Sequence, residues 1–229
     1  MMYINDMLFI SVGSRGSPLA KAQVEEIKDE LKAFIPSIDF DCLFVDSTGD
    51  QDQVTSLRTL GKTDFFTKEI DELLLSGACR IAIHSAKDLP SPLPDGLSIV
   101  ALTRGLDPSD TLVLKEGVSV DTLPASPVIA TSSERREEAV RLLIPDAVFI
   151  DIRGQIRQRL SKLNDGTANG VVLAESALIR LGLTYLNRLK LPGPTTPLQG
   201  QLAVMARSDD MEMKELFACI DNRLGVCCP

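Results

Sequence analysis

Three short segments of the sequence combine residue types that could bind an anion or stabilise a charge, and each directly follows an apolar run. They are Ser14-Arg15-Gly16-Ser17-Pro18, His84-Ser85-Ala86-Lys87-Asp88-Leu89-Pro90 and Thr131-Ser132-Ser133-Glu134-Arg135-Arg136. The first and third open predicted helices, whose N-termini present free N–H groups and a positive dipole that suit carboxylates or phosphates. The second places a carboxylate beside a cation, where it could stabilise a developing positive charge.

Each segment also has an ordinary structural interpretation, which the residues alone leave open. Ser17 is a good helix N-cap and could do no more than that. Arg135 and Arg136 could form a solvated pair on a helix surface, and Lys87 and Asp88 could form only a salt bridge. Taken singly, the three segments therefore do not establish an active site.

His84 is the sole histidine, and because it ends an apolar run we expect it to have a structural role. We therefore expect no histidine-based triad and no metal site. The sequence also contains no cysteine–histidine cluster with zinc spacing, no Gly-x-Gly-x-x-Gly motif and no Walker loop.

Length and composition place the chain among ordinary globular proteins. It has 229 residues, 44% apolar and 24% charged, which suggests one large domain or two small ones. Its longest apolar runs, such as 170–174, are far shorter than the ~20 residues that a bilayer requires, so we expect no membrane contact. The N-terminus lacks the basic region and cleavage site of a signal peptide, which predicts a cytoplasmic protein.

The charge of the chain is unevenly distributed. The net charge is −8, which argues against general nucleic-acid binding. Yet six of the 14 arginines lie between Arg135 and Arg159. An acidic protein with one arginine-rich segment is typical of a local anion site.

The five cysteines lack the spacing of a disulfide framework, which indicates reduced thiols. Cys42 and Cys79 lie within apolar segments and are predicted core residues. Cys227 and Cys228 are adjacent, near the end of the sequence.

Strand and helix patterns alternate along the chain, which predicts βαβ units and an α/β fold with mixed, mostly parallel sheets. The predicted strands are 8–12, 38–45, 80–84, 128–130, 148–152 and 170–174, and the predicted helices are 18–31, 66–75, 134–143, 156–163, 177–181 and 213–223. Proline-rich segments suggest two lobes, one formed by 1–103 and 200–224 and the other by 104–199, with 225–229 as a tail. Ligands of such folds bind outside the carboxyl ends of the strands, where the three segments fall.

The order of several motifs strongly resembles the porphobilinogen deaminase (hydroxymethylbilane synthase) family from about residue 8 to residue 207. The matching strings are Arg15-x-Ser17-Pro18-Leu19-Ala20, Phe66-Thr67-Lys68-Glu69, His84-Ser85-x-Lys87-Asp88-x-Pro90, Asp107-Pro108-x-Asp110, Thr131-Ser132-Ser133-x-Arg135-Arg136, Ile152-Arg153-Gly154, Arg159-Leu160-Ser161-Lys162-Leu163 and Leu181-Gly182-Leu183. The third and fifth of these strings, H-S-x-K-D and T-S-S-x-R-R, are the most specific.

This resemblance implies a transferase of tetrapyrrole and haem biosynthesis. The family joins four porphobilinogen molecules head to tail, with release of ammonia, to give hydroxymethylbilane on a dipyrromethane primer bound covalently to a cysteine. It also implies the architecture of type II periplasmic binding proteins, with the active site in the cleft between two lobes. We expect porphobilinogen as the small-molecule partner and a monomeric protein.

The resemblance also assigns roles to individual residues. Asp88 would be the catalytic carboxylate, assisted by Lys87, and would stabilise the cationic azafulvene and the pyrrolenine that follows it. The residues that would hold the cofactor and substrate are Arg15, Ser17, Phe66, Ser133, Arg135, Arg136, Arg153, Arg159 and Gln201. Because every pyrrole of the substrate carries an acetate and a propionate, arginine forks suit this ligand.

The chain departs from the family pattern at two places. Thr59 stands where the family has a lysine, and Arg58 or Lys62 could substitute for it. The sequence also stops before the expected third domain, which normally carries the cofactor cysteine. The terminal segment resembles the family's Arg-Leu-x-Gly-Gly-Cys loop, which predicts cofactor attachment at Cys227, with Cys228 as the alternative; a chance tail with an unrelated cysteine pair is the other interpretation.

Two other functions remain open from the sequence. The chain could be a family member that folds and binds pyrroles without catalysis. It could also be a two-lobed module that binds small anions.

Overall fold

The computed structural model describes residues 2–4, 7–52, 58 and 64–224. Its strands are β1 (Met2–Ile4), β2 (Met7–Arg15), β3 (Ile38–Val45), β4 (Ile81–Ser85), β5 (Leu97–Leu102), β6 (Asp110–Leu114), β7 (Val128–Ala130), β8 (Val148–Ile150), β9 (Gly170–Ala174), β10 (Arg188–Lys190) and β11 (Leu202–Arg207). Its α-helices are α1 (Pro18–Lys32), α2 (Thr48–Gln51), α3 (Lys68–Ser76), α4 (Glu134–Arg141), α5 (Ile156–Asn164), α6 (Glu175–Arg180) and α7 (Met211–Phe217). Four residues named above, Thr59, Lys62, Cys227 and Cys228, lie outside the described residues.

The described chain divides into two compact units. The first contains 2–4, 7–51, 64–105 and 201–224, and the second contains 52, 58 and 106–200. Residues 52 and 58 group with the second unit, although we expected all of 1–103 in the first lobe. The reason is local bonding, because Arg58 donates a hydrogen bond to the carbonyl of Thr131 at 3.0 Å and pairs with Glu137 and Asp151.

The first unit is built on a six-stranded sheet. Its main path is β1-β2-β4-β11-β5, and β3 pairs with β2. The strands β3 and β4 run parallel to β2, whereas β11 runs antiparallel to both β4 and β5. The carboxyl ends of β2 and β4 and the start of β11 therefore lie at one edge of the sheet.

Apolar spacing explains how α1 packs on this sheet. Val24, Ile27 and Leu31 recur on one helix face and are buried against β2, β3 and β4 in the main core of the unit. Ser17 caps the helix, since its hydroxyl accepts a hydrogen bond from the backbone N–H of Ala20 at 3.2 Å. The helix start is thereby fixed next to the end of β2.

The second unit contains a five-stranded sheet in the order β10-β6-β9-β7-β8. The strands β8 and β9 run parallel to β7, whereas β6 runs antiparallel to β9 and β10. The carboxyl ends of β7, β8 and β9 therefore share an edge with the start of β6. Leu173 and Val171 of β9 are fully buried there beneath the helices of this unit.

The expected mixed sheets are confirmed, with more antiparallel pairs than we predicted. Among the described strands, four pairs are parallel and five are antiparallel. The additional antiparallel pairs arise because β6 runs antiparallel to β9 and β10, and β11 runs antiparallel to β4 and β5.

The predicted last helix, 213–223, is wrong at its C-terminal end. The α-helix α7 stops at Phe217 and is followed by 3-10 turns at Ala218–Ile220 and Asn222–Leu224. The carboxylate of Asp221 interrupts the helix, because it accepts a hydrogen bond from the backbone N–H of Leu102 at 3.0 Å. None of the helices in the described residues is long and apolar enough to span a membrane.

Candidate functional site

One edge of the first sheet collects the predicted residues of this unit. Arg15 ends β2, Lys87 and Asp88 follow β4, and Gln201 precedes β11. The carbonyl of Gln201 accepts a hydrogen bond from the backbone N–H of Ala86 at 3.1 Å, which joins the last two segments. Phe66 lies against Arg15, so the structure brings these five residues to the same edge.

Arg15 is held in place by Asp50. The Nε of Arg15 donates to Oδ2 of Asp50 at 2.9 Å, and its Nη2 donates to Oδ1. Ser47 supports the same carboxylate through its backbone N–H at 3.1 Å and its hydroxyl at 2.8 Å. Burial alone would raise the pKa of Asp50, but the Arg15 guanidinium and Ser47 outweigh it and lower this pKa. Asp50 therefore stays ionised and fixes the orientation of Arg15.

The ring of Phe66 covers the other side of this guanidinium. The Cζ of Arg15 lies 4.7 Å from the ring centroid, within the range of a cation–π contact. Phe65 meets Phe66 edge to face, with ring centroids 5.2 Å apart. A Cβ on Gly49 would overlap the Phe66 ring, so this position requires glycine. Sequence reasoning found Phe66 only through the family motif.

Asp88 ends a 3-10 turn, Ala86–Asp88, directly after β4. Its side chain is exposed and forms no ion pair or hydrogen bond with any of the described residues. The alternative that Lys87 and Asp88 form only a salt bridge is therefore not supported. Ser85 just before the turn is tied to α1, since its hydroxyl accepts a hydrogen bond from Nε2 of Gln23 at 2.8 Å. The carboxylate of Asp88 is thus free to meet a cation on a well-anchored turn.

His84 is buried in the strand that leads to this turn. Burial, with a smaller contribution from the charge of Arg15, lowers the pKa of His84 to about 4. The imidazole is therefore neutral near pH 7 and cannot act as a general acid there. Among the described residues, no group of three histidine, cysteine or acidic side chains could hold a metal ion.

The corresponding edge of the second sheet carries the other predicted residues. Ser132 links the ends of β7 and β8, because its hydroxyl donates to the carbonyl of Ile152 at 3.0 Å and accepts from the Ile152 N–H at 2.9 Å. Ser133 is the N-cap of α4, and its hydroxyl makes no capping hydrogen bond. This arrangement places Arg135 and Arg136 in the first turn of α4, above the start of β6.

Asp110 binds both of these arginines. Its Oδ2 accepts from Nη1 of Arg135 at 2.5 Å, and its Oδ1 accepts from Nε of Arg136 at 2.9 Å. The side-chain amide of Gln199 donates to Oδ1 as well, at 3.0 Å. Burial would raise the pKa of Asp110, but the charge of Arg136 and the bonds from Arg135 and Gln199 lower it overall. The alternative of a solvated arginine pair is therefore not supported.

Arg153 lies in the segment that follows β8, and Arg159 lies on the next helix, α5. Arg153 donates a hydrogen bond to the carbonyl oxygen of Asp52. The Nε of Arg159, on α5, donates to the carbonyl of Gly154 at 2.8 Å. Both arginines therefore help to shape the loop Arg153–Gly154 at this edge.

The described thiols are poor candidates for covalent chemistry. Burial raises the pKa of Cys79 to about 11 and also raises that of Cys42. Cys219 is partly buried and donates to the carbonyl of Leu216 at 3.5 Å. A thiolate is the reactive form, so the raised pKa values make Cys42 and Cys79 unsuited to carry a cofactor.

Comparison with known proteins decides the family. A family described as "Porphobilinogen deaminase, dipyromethane cofactor binding domain" matches residues 10–215. The chain belongs to the porphobilinogen deaminase family. It is 39% identical to a probable porphobilinogen deaminase of Chlamydia pneumoniae over 211 residues, which covers 92% of this chain and 89% of the relative. It is 40% identical to the porphobilinogen deaminase of Clostridioides difficile over 205 residues, or 88% of this chain and 68% of the relative.

Solved structures show the fold that this member of the porphobilinogen deaminase family shares with binding proteins. An ancestral cationic amino acid solute binding protein is similar with a TM-score of 0.56 and 12% identity, covering 95% of this chain and 88% of that one. The L-cystine solute receptor of Neisseria gonorrhoeae is similar with a TM-score of 0.52 and 11% identity, covering 95% and 87%. The expected resemblance to periplasmic binding proteins is confirmed at the level of the fold.

Proposed function

We propose that this protein condenses four porphobilinogen molecules head to tail, with one water and the release of four ammonia molecules, to give hydroxymethylbilane. The observation that carries this proposal is the exposed carboxylate of Asp88 at the end of β4, on a fixed turn of a chain that matches the family over 10–215. The family match also disfavours a module that only binds small anions.

Asp88 is the proposed catalytic residue. When ammonia leaves the aminomethyl group of porphobilinogen, positive charge develops on the pyrrole. A carboxylate with no internal cation partner among the described residues can stabilise that charge directly. Lys87 lies next to it in the same turn and is proposed to assist.

The arginines are proposed to hold the acetate and propionate groups. Guanidinium N–H groups donate strong hydrogen bonds to carboxylates, and Arg15 and Arg135 lie at the carboxyl-end edges where ligands of α/β sheets bind. Asp50 already binds Nε and Nη2 of Arg15, so only the remaining N–H groups of Arg15 are proposed to contact the ligand. Ser17, Phe66, Ser133, Arg136, Arg153, Arg159 and Gln201 are the other proposed binding residues.

The donor set fits the dipyrromethane cofactor that the family description names, because the partly exposed arginines suit a ligand rich in carboxylates. When bound through a thiol, dipyrromethane supplies the pyrrole carbon to which the substrate is joined. The chain's own residues would hold the carboxylates of the cofactor and keep the reacting end of the cofactor near Asp88.

We propose Cys227 as the point of attachment, with Cys228 as the alternative. The other cysteines have raised pKa values or are partly buried, as described above. The described chain ends close to the edge of the first sheet, since Asp221 binds the N–H of Leu102 and Arg223 donates to the carbonyl of Ile99 at 3.0 Å. Cys227 follows Leu224 by three residues, a reach of about 10 Å.

Intact-mass spectrometry of the purified protein tests this function. We expect a mass increase equal to one dipyrromethane. Peptide mass spectrometry should locate it on the peptide that contains Cys227, and Cys227→Ser should lack it. The variant Cys42→Ser is the matched control and should keep the adduct. A wild-type protein without the adduct that forms no hydroxymethylbilane from porphobilinogen would instead indicate a non-catalytic family member. The monomeric state and the cytoplasmic location stay predictions.

A further inference from the structure

Glu69 has no part in the proposed chemistry, yet its side chain binds an element of the candidate site. Its Oε1 accepts hydrogen bonds from the backbone N–H of Thr48 at 2.9 Å and from the Thr48 hydroxyl at 2.5 Å. Thr48 is the first residue of α2, the short helix that also carries Asp50. A side chain of α3 is thereby bonded to the start of α2.

The carboxylate of Glu69 is well suited to this helix end. The first N–H groups of an α-helix lack partners within the helix and carry partial positive charge, so an anion stabilises them. Burial alone would raise the pKa of Glu69, but the hydrogen bonds from Thr48 and from its own backbone N–H outweigh it and lower this pKa. Glu69 is therefore an ionised cap that α3 supplies to α2.

The helix α2 depends on such contacts because it is only four residues long. Isolated helices shorter than about 12–15 residues are marginal in water, so the position of α2 must come from tertiary contacts. The helix α3 is a firm support for it, since Ile70 and Leu74 are fully buried in the core of the first unit.

The same two elements enclose the guanidinium of Arg15. Asp50 of α2 occupies Nε and Nη2, and Phe66 covers one face of the group, with Cζ 4.7 Å from the ring centroid. Phe66 directly precedes the start of α3, to which Glu69 belongs. The bond between Glu69 and α2 therefore joins the two sides that hold Arg15.

We propose that Glu69 is a positioning residue for Arg15: by joining α3 to α2, it fixes the direction in which the remaining N–H groups of the Arg15 guanidinium point. This inference rests on the proposed function and deepens it, because it explains how an arginine proposed to bind a ligand carboxylate keeps its orientation. Glu69 acts through Thr48 and Asp50 rather than on the ligand.

Glu69→Ala removes the acceptor that joins the two helices. We expect the KM for porphobilinogen to rise about fivefold or more with kcat little changed, since Arg15 would bind the ligand carboxylate equally in the ground state and the transition state. Glu69→Gln keeps an acceptor oxygen and should restore most of the wild-type KM. Glu72→Ala is the matched control, because Glu72 is exposed on the same helix, and it should leave KM unchanged. A merely structural role of Glu69 would lower the urea midpoint of unfolding without moving KM.

A second measurement needs neither turnover nor ligand. Phenylglyoxal modifies accessible arginine side chains, and peptide mass spectrometry measures the modified fraction at each position. We expect Arg15 to be modified about threefold faster or more in Glu69→Ala than in the wild type or in Glu72→Ala, because a side chain held less firmly is accessible for a larger share of the time. Arg80 is the internal reference, since it is 21% exposed, close to the 27% of Arg15, and is held by Asp210. Its rate should not change.

The labelling experiment tests the inference even if wild-type protein forms no hydroxymethylbilane, which would refute the proposed function instead. An Arg15 modification rate that is the same in Glu69→Ala and in the wild type would overturn the inference, and so would an unchanged KM in an active Glu69→Ala enzyme. If Glu69→Ala does not fold, Thr48→Val decides, because Thr48 is exposed and valine keeps its shape without the hydroxyl donor. We expect this variant to raise the Arg15 modification rate about twofold, since one of the two hydrogen bonds to Glu69 is lost, and an unchanged rate overturns the inference.

Discussion

Replacing Asp50 with asparagine removes the charge that orients Arg15 and preserves the shape of the side chain. Oδ2 of Asp50 accepts three hydrogen bonds, from Nε of Arg15 and from the N–H and hydroxyl of Ser47. The single oxygen of asparagine is best placed at this position. Its NH2 group then faces Nη2 of Arg15, so two donors meet and one charge-assisted hydrogen bond is lost.

The structure sets the size of the effect. A hydrogen bond to a charged group contributes about 1.5–3 kcal/mol, and the remaining bond to Nε loses its charge assistance, roughly 1 kcal/mol more. Arg15 is 27% exposed, so water offsets part of this loss. We therefore expect Asp50→Asn to lower the free energy of unfolding by about 2–3 kcal/mol.

Urea unfolding followed by circular dichroism measures this change. Asp39→Asn is the matched control, because Asp39 belongs to the same unit and pairs with Lys28 at a long 3.6 Å near the surface. Such surface pairs contribute at most about 1 kcal/mol. A loss in Asp50→Asn no larger than in Asp39→Asn would refute the argument that the half-buried carboxylate of Asp50 holds Arg15.

Two further predictions concern the surroundings of Arg15 and α3. Gly49→Ala should destabilise the protein by about 1–3 kcal/mol and weaken porphobilinogen binding, because the new Cβ displaces Phe66 from Arg15; unfolding and KM measurements check both. Burial raises the pKa of Asp71 to about 6, above its usual 3.8, so its ionisation opposes folding as the pH rises from 4 to 6. The free energy of unfolding of Asp71→Asn, measured in urea, should therefore match that of the wild type near pH 4 and exceed it by about 2 kcal/mol at pH 7.5. A variant that is as stable as the wild type at both pH values would contradict this.

The sequence predicts well where several strands end and the next helices begin, because these positions depend on local residue patterns. Alternating apolar residues over 38–45 predict β3 with the bounds that the structure shows, and Ser17 with Pro18 predicts the start of α1. The strand β11 was not predicted, since its buried run Leu202–Ala206 fits a strand or a helix equally. Its antiparallel insertion depends on partners far away in the chain.

The carboxylates that organise the arginines could not be predicted for the same reason. Asp50 lies 35 positions from Arg15, and Asp110 lies 25 positions from Arg135. Asp110 was visible as part of a D-P-x-D motif, but nothing local to that motif indicates its partners. The end of α7 is a third case, because Asp221 binds the backbone of Leu102, 119 positions away.

Formation of hydroxymethylbilane from porphobilinogen, compared between the wild type and Asp88→Asn, tests the central claim most directly. Asparagine keeps the shape of Asp88 and removes the charge that stabilises the cation, and Asp88 has no structural partner among the described residues to lose. We therefore expect the wild type to release hydroxymethylbilane and ammonia, and Asp88→Asn to retain the wild-type urea midpoint with activity reduced at least a hundredfold. Turnover by Asp88→Asn within tenfold of the wild type would contradict the assignment of Asp88 as the catalytic carboxylate.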